Sequence, residues 1–143
     1  MTHIKVVEIE RQYANFGNHA EQCLTYMLTG EVRSHDHIRY DKGSDIPEYH
    51  MSVKSAKFTL MSGSLCESQD FDGIVEEFFQ KTASKQFAYV TQDMVAYIMT
   101  AEIFREFVVR FCGLERESSR NGGRYKVRMR MESKKVIEFL KTR

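Results

Sequence analysis

An aspartate and a lysine stand close together near the middle of the chain, and their types and spacing suit catalysis. Asp45 precedes Lys54 by nine positions, and we expect Asp45 to end one strand and Lys54 to lie within the next. A carboxylate at a strand end can hold a hard divalent cation through oxygen. The lysine can stabilise charge that develops on a phosphoryl group, and the cation can activate the attacking water.

Two further residues extend this arrangement. Ser52 and Lys54 lie on one face of the predicted strand, because side chains repeat every two residues. If that strand pairs with the one that ends at Asp45, then Asp45 and Lys54 converge at one end of the sheet. Glu21 lies at the edge of the apolar stripe of a preceding helix and can add a second carboxylate. Together these residues describe a site suited to hydrolysis of a phosphate ester.

Each of these residues also has an ordinary structural interpretation. Glu21 stands three positions after Asn18, which is the spacing of a capping box. Asp45 follows Gly-Ser and can serve as a turn residue. The stem of Lys54 can lie along an apolar surface at a strand edge while its ammonium group reaches water. The joint order of the three residues favours the site over the separate interpretations.

The predicted elements that must position these side chains alternate between helices and strands. Apolar residues at helical spacing predict helices at 18–29 and 71–83, a helix capped by Thr100 and a final helix capped by Ser133. Strands are predicted at 35–40, at 49–61 with a bulge near Ala56, at 87–91 and at 125–131. The segment 94–99 fits either type. This order predicts an α/β (α+β) fold with a mixed central sheet flanked by helices.

Length and composition narrow the class of protein. The chain has 143 residues, of which 42% are hydrophobic, and this suits one domain over residues 1–143 with a packed core. No apolar run approaches the 18 residues or so that a membrane-spanning helix needs. The first ten residues are already acidic, with Glu8 and Glu10, so we expect no secretory signal.

The cysteines indicate a reducing environment. Cys23, Cys66 and Cys112 include no CxxC pair, and their number is odd. This pattern argues against a disulfide framework and against a zinc site. Cys23 and Cys112 fall on apolar faces of predicted helices, where a free cysteine behaves as a small hydrophobic residue. We therefore expect a cytoplasmic location.

The charge is distributed unevenly along a chain whose formal net charge is only +1. From Leu114 to the end there are ten basic and four acidic residues. The first 113 residues hold the other eleven basic and sixteen acidic residues. A basic end on an acidic body favours an anionic partner, usually nucleic acid. The residues predicted to contact phosphate are Arg120, Arg124, Lys126, Arg128 and Arg130. The alternative is that these charges protect an edge strand from aggregation.

The chain resembles the restriction-endonuclease-like, PD-(D/E)xK nuclease superfamily in the segment 15–22, in Asp45 and in the triplet Ser52-Val53-Lys54. Its core has the order αβββαβ, with a glutamate often on the first helix, an aspartate in the hairpin and a (D/E)xK triplet on the second strand. Asp45 matches the aspartate, Glu21 the helix glutamate and Ser52-Val53-Lys54 the triplet. The strand 87–91, the Thr100 helix and the Tyr125 strand would complete the core, with the helix 71–83 as an insertion.

The resemblance implies a DNA endonuclease that uses Mg2+, or Mn2+, and that acts as a homodimer or higher homo-oligomer. Asp45, Lys54 and Glu21 would be the catalytic residues. Two positions depart from the pattern: Ser44 stands where the motif has proline, and Ser52 replaces the acidic residue of the triplet. Some members with SxK supply the missing carboxylate about a dozen residues later. Glu67, thirteen positions after Lys54, would then be a metal ligand with Asp45 and Glu21.

Two other functions remain open from the sequence. Ser52 favours a non-catalytic nucleic-acid-binding module of the same fold, since a serine hydroxyl carries no charge for metal binding. The third possibility is a structural interaction protein whose core has the same order of elements. Metal-dependent DNA nicking separates the first function from the other two, and salt-sensitive DNA binding separates the second from the third.

Overall fold

The structure is a computed structural model that describes residues 4–9, 20–31, 46–55, 58–61, 69–116 and 125–143. The fold is mixed α/β, as predicted. The strands are β1 Lys5–Glu8, β2 Met51–Ser55, β3 Thr59–Met61, β4 Gln86–Val90, β5 Val95–Thr100, β6 Cys112–Arg116 and β7 Tyr125–Met129. The helices are α1 Ala20–Thr29, α2 Phe71–Lys81, α3 Ala101–Phe111 and α4 Lys134–Thr142. None of these helices is long and apolar enough to cross a membrane.

Side-chain caps determine where three of the helices begin. The backbone N–H of Ile103 donates to the Thr100 hydroxyl at the start of α3. The Ser133 hydroxyl accepts from Val136 N–H at the start of α4, which confirms both predicted caps. At the start of α2, which the sequence predicted without a cap, Asp70 accepts from Gly73 N–H at 2.6 Å. Each cap satisfies a backbone donor that the first helical turn leaves without a partner.

The larger sheet, sheet A, has the strand order β1-β5-β4-β2. β1 and β4 are antiparallel to β5, whereas β2 runs parallel to β4. A parallel pair needs a long crossover connection, usually helical, and α2 lies within this connection. The helix predicted at 71–83 is α2, and it belongs to the link between β2 and β4.

The smaller sheet, sheet B, has the order β3-β7-β6, and both pairings are antiparallel. The single strand predicted at 49–61 is wrong, because β2 belongs to sheet A and β3 to sheet B. Phe58 N–H donates to the Ser55 carbonyl at 3.1 Å, so the chain turns between the two strands. Phe58 and Leu60 then enter the core that lies under sheet B.

The core has two parts, one on each face of sheet A. The larger part joins one face of sheet A to α2, α3, α4 and the inner face of sheet B. There the Phe87 and Phe104 rings stack with centroids 4.3 Å apart. The smaller part joins α1, through Cys23 and Leu24, to the opposite face. Helix α1 and helix α2 therefore cover different faces of sheet A.

One segment that the sequence left open is decided by the structure, and two local predictions need correction. The ambiguous segment 94–99 is strand β5, and two short strands, β1 and β6, were missed. Cys112, predicted on a helix face, is the first residue of β6. β1 and β6 carry charged residues and lack a regular alternation of burial, so their extended form depends on the neighbouring strand with which each one pairs.

The Glu132 carboxylate, just before α4, accepts hydrogen bonds from β4 and from the turn after β4. The Tyr89 hydroxyl donates to Glu132 Oε1 at 3.0 Å, and Gln92 N–H donates to the same oxygen. Burial, together with the hydrogen bond to Glu132 and its negative charge, raises the pKa of Tyr89. The hydroxyl therefore stays protonated and remains a donor.

We expect Glu132→Ala to lower the free energy of unfolding by about 1–3 kcal/mol, because the Tyr89 hydroxyl loses its acceptor in a buried place. In the Tyr89→Phe background the same change should cost clearly less. Urea denaturation of the two single variants and the double variant measures this coupling. Additive effects within about 0.3 kcal/mol would show that the Tyr89–Glu132 hydrogen bond does not stabilise the fold.

Burial raises the pKa of the Cys112 thiol to about 12. The thiolate is the reactive form, and the raised pKa lowers its fraction at pH 8 about a thousandfold relative to an unperturbed cysteine. A thiolate of higher pKa is more nucleophilic, which offsets part of this loss in the reaction rate. We expect iodoacetamide to alkylate Cys112 about fiftyfold more slowly in the folded chain than in urea. Site-resolved mass spectrometry measures both rates, and equal rates would contradict the burial of this thiol.

Candidate functional site

A tight reversal brings the chain into β2. Ile46 N–H donates to the Met51 carbonyl at 2.9 Å, and Met51 N–H donates back at 3.2 Å, which is an antiparallel bridge. A 3₁₀ turn at Pro47–Tyr49 links the two residues, and His50 has a left-handed φ of 49°. Proline at the start of a helical turn and histidine in the left-handed region both suit this geometry.

Lys54 lies at the second-last position of β2, on the face of sheet A that α2 covers. Its strand partner there is Tyr89. The side chain is half-buried, and its Nζ lies 5.8 Å from the centroid of the Phe78 ring. An ammonium group over an aromatic face is stabilised by the ring quadrupole. Lys54 is therefore held at the carboxyl end of a parallel strand pair, the end at which open α/β sheets bind ligands.

Ser52 shares the face of Lys54, as predicted, but it faces the interior. It is only 6% exposed, and its Oγ lies 2.5 Å from the Oγ of Ser84. The position that the (D/E)xK pattern fills with an acid thus holds a buried pair of hydroxyl groups. A carboxylate in this place would have to be desolvated, which is costly for a charged group.

Ser84 was missed by the sequence reasoning. It stands 32 residues after Ser52, and no local pattern relates the two. The parallel register of β2 and β4 places Ser52 opposite Phe87, which brings the segment before β4 alongside β2. Lys85 and Gln86 N–H both donate to the His50 carbonyl and hold that segment in place.

The predicted carboxylate ligands are not brought together within the described residues. Asp45 and Glu67 lie outside them, and so does the side chain of Glu21. Helix α1, which carries Glu21, packs on the face of sheet A opposite to Lys54. In the described part of the chain, no group of three or more His, Cys, Asp or Glu side chains is placed to hold a metal ion. Of the predicted site, the structure therefore describes Lys54 and its neighbour Ser52.

The basic strand predicted at 125–131 is β7, and its alternation is confirmed. Val127 and Met129 are fully buried, while Lys126 and Arg128 lie on the outer face of sheet B. Because β7 pairs with β3 on one side and β6 on the other, it is the central strand. The alternative that these charges protect an edge strand is therefore wrong.

One acidic residue shares the outer face of sheet B with these cations. Glu115 lies directly across from Lys126, and its Oε1 is 3.5 Å from Nη1 of Arg128. Both side chains of this ion pair are about one-third exposed, so the pair is partly hydrated and weak. The side chain of Arg130 reaches back toward Gly113, opposite Arg128. Two arginines and a lysine thus face solvent with one carboxylate, and Arg120 and Arg124 lie outside the described residues.

Comparisons with protein-family models, with curated proteins and with solved structures gave no match. The case for a function therefore depends on the residues and contacts of this chain.

Proposed function

We propose that the chain is a Mg2+-dependent DNA endonuclease that hydrolyses phosphodiester bonds at the carboxyl end of the β2/β4 pair. The observation that carries the proposal is the placement of Lys54, half-buried at the end of a strand whose start is bridged to the residue that follows Asp45. The nuclease resemblance implies a carboxylate from Asp45 and the Lys54 ammonium group around one short hairpin.

The surroundings of Lys54 suit stabilisation of a transition state. The side chain is partly withdrawn from water and lies over the Phe78 ring. Coulomb interactions are stronger where water is partly excluded, so the ammonium group stabilises charge that develops on a phosphoryl oxygen more than an exposed lysine would. Because packing on α2 limits the motion of the stem, the charge is already oriented before the reaction begins.

The Ile46–Met51 bridge supports a role for Asp45 beside the same strand. Asp45 is joined directly to Ile46, and consecutive Cα atoms are about 3.8 Å apart. The bridge therefore brings the residue that follows Asp45 to the start of β2. The oxygen atoms of Asp45, with those of Glu67, would hold Mg2+ or Mn2+. When bound, the metal would act as a Lewis acid on a phosphoryl oxygen and would lower the pKa of the attacking water.

The test of this function is nicking of supercoiled plasmid DNA by the full chain. We expect nicking with Mg2+ or Mn2+ and none in excess EDTA. A chain that binds DNA but leaves the plasmid intact with either metal would contradict the proposal. One active site cuts one strand, so we propose that double-strand cleavage requires a homodimer, which sedimentation of the chain with DNA can detect.

The buried Ser52–Ser84 pair favours a second candidate function, a DNA-binding module without catalysis. At the Ser52 position the fold has a neutral pair of hydroxyl groups and no carboxylate, so the hairpin has less negative charge with which to bind a divalent cation. In that case DNA binding weakens with salt but does not depend on Mg2+. Plasmid nicking with Mg2+, measured beside the salt dependence of DNA binding, distinguishes this function from the first, because only the first cleaves DNA.

A further inference from the structure

A groove of about 490 Å³ runs between α3 and α4, and none of its lining residues belongs to β2 or to sheet B. Three cations line it: Arg110 from the last turn of α3, Lys135 from the first turn of α4, and Arg143 just after α4. Among the residues that the structure describes, Glu138 is the one acidic side chain that lines this groove. The lining of the groove therefore carries a net positive charge.

Contacts with neighbouring side chains hold the two arginines in place. The Arg110 guanidinium lies 5.4 Å from the Phe139 centroid and 5.9 Å from the Phe111 centroid. Arg143 makes an ion pair with Glu106 of α3. Guanidinium groups that are already oriented lose less side-chain entropy when they bind an oxyanion. The groove therefore presents a partly preorganised set of donors.

Lys135 adds the third charge at the other end of the groove. It is exposed and makes no ion pair within the described ranges. Lys135 and Arg143 are eight residues apart, which corresponds to about 12 Å along a helix axis. Charges spread over this length match a polyanion with regularly spaced phosphates better than a single small anion.

We propose that the α3–α4 groove binds the phosphodiester backbone of duplex DNA, as a contact surface separate from the β2 site. The identity of the partner rests on the proposed function, but the contact does not require catalysis. Charge complementarity supports this partner, because the segment from Leu114 onward carries ten basic and four acidic residues. Phosphate contacts of this kind orient a protein on DNA without reading its sequence.

The test compares neighbouring lysines in EDTA, where cleavage plays no part. Lys134 and Lys135 are both exposed in the first turn of α4, but only Lys135 lines the groove. We expect Lys135→Gln to weaken binding of labelled duplex DNA by roughly fivefold and to reduce the salt slope of log K by about 0.9. Lys134→Gln should change binding less than twofold. Fluorescence anisotropy at several salt concentrations measures both quantities.

Glu138→Gln gives a test of opposite sign. Removal of the carboxylate from the groove should strengthen DNA binding by about threefold if phosphate enters there. Equal effects of the two lysine variants on DNA binding, or no gain in affinity from Glu138→Gln, would overturn the groove as a DNA-contact surface. Plasmid nicking would remain a separate test of the proposed function. If the chain binds polyglutamate but not DNA, and this binding depends on Lys135, the choice of DNA as the partner is overturned. DNA binding through the groove without any nicking would support the groove and contradict the nuclease.

Discussion

Replacement of Asp45 by Asn is expected to abolish Mg2+-dependent nicking and to leave the fold intact. The amide keeps the size of the side chain but loses the negative charge that binds a hard cation. A metal ion contributes several kcal/mol to the stabilisation of a phosphoryl transition state, and each 1.36 kcal/mol is a factor of ten in rate. We therefore expect the nicking rate to fall by about a thousandfold or more.

The matched control for this prediction is Asp72→Asn. Asp72 is an exposed aspartate in the first turn of α2, so this variant makes the same chemical change away from the hairpin. Its nicking rate should stay within about twofold of the unaltered chain. Circular dichroism and thermal melting check that both variants fold. Wild-type nicking by Asp45→Asn would show that Asp45 is a turn residue and no metal ligand.

The second large effect is expected for Lys54→Met. Methionine keeps an unbranched apolar stem that can pack on Phe78, so the change removes mainly the charge. Loss of one preorganised electrostatic group costs about a hundredfold to a thousandfold in kcat. DNA affinity should change little, because the charge acts in the transition state more than in the ground state. Single-turnover cleavage at saturating DNA measures the rate, and anisotropy in EDTA measures the affinity.

Two variants sharpen the assignment of Lys54. Lys85→Met removes an exposed lysine just before β4 and should leave the cleavage rate unchanged. Lys54→Arg keeps the charge but changes its shape and hydration, and we expect it to restore only part of the lost rate. Weaker DNA binding by Lys54→Met with normal turnover would identify Lys54 as a plain phosphate-binding residue.

The amino-acid sequence by itself determined the features that depend on neighbours three or four positions apart. The caps at Thr100 and Ser133 are local hydrogen bonds, and the stripes that bury Phe104 and Phe107 follow the helical repeat. The alternation of β7 is equally local, since successive side chains of a strand point to opposite faces. These elements could therefore be predicted from the order of residues alone.

Only the tertiary structure decided how these elements pair and what they enclose. The division of the predicted strand at 49–61 into β2 and β3 follows from burial in two different layers. The pairing of β2 with β4 and the contact of Ser52 with Ser84 join residues more than thirty positions apart. The α3–α4 groove likewise requires Arg110 to lie beside Phe139. Such contacts depend on which apolar surfaces the whole chain can bury together, and a local pattern of residues carries no information about that choice.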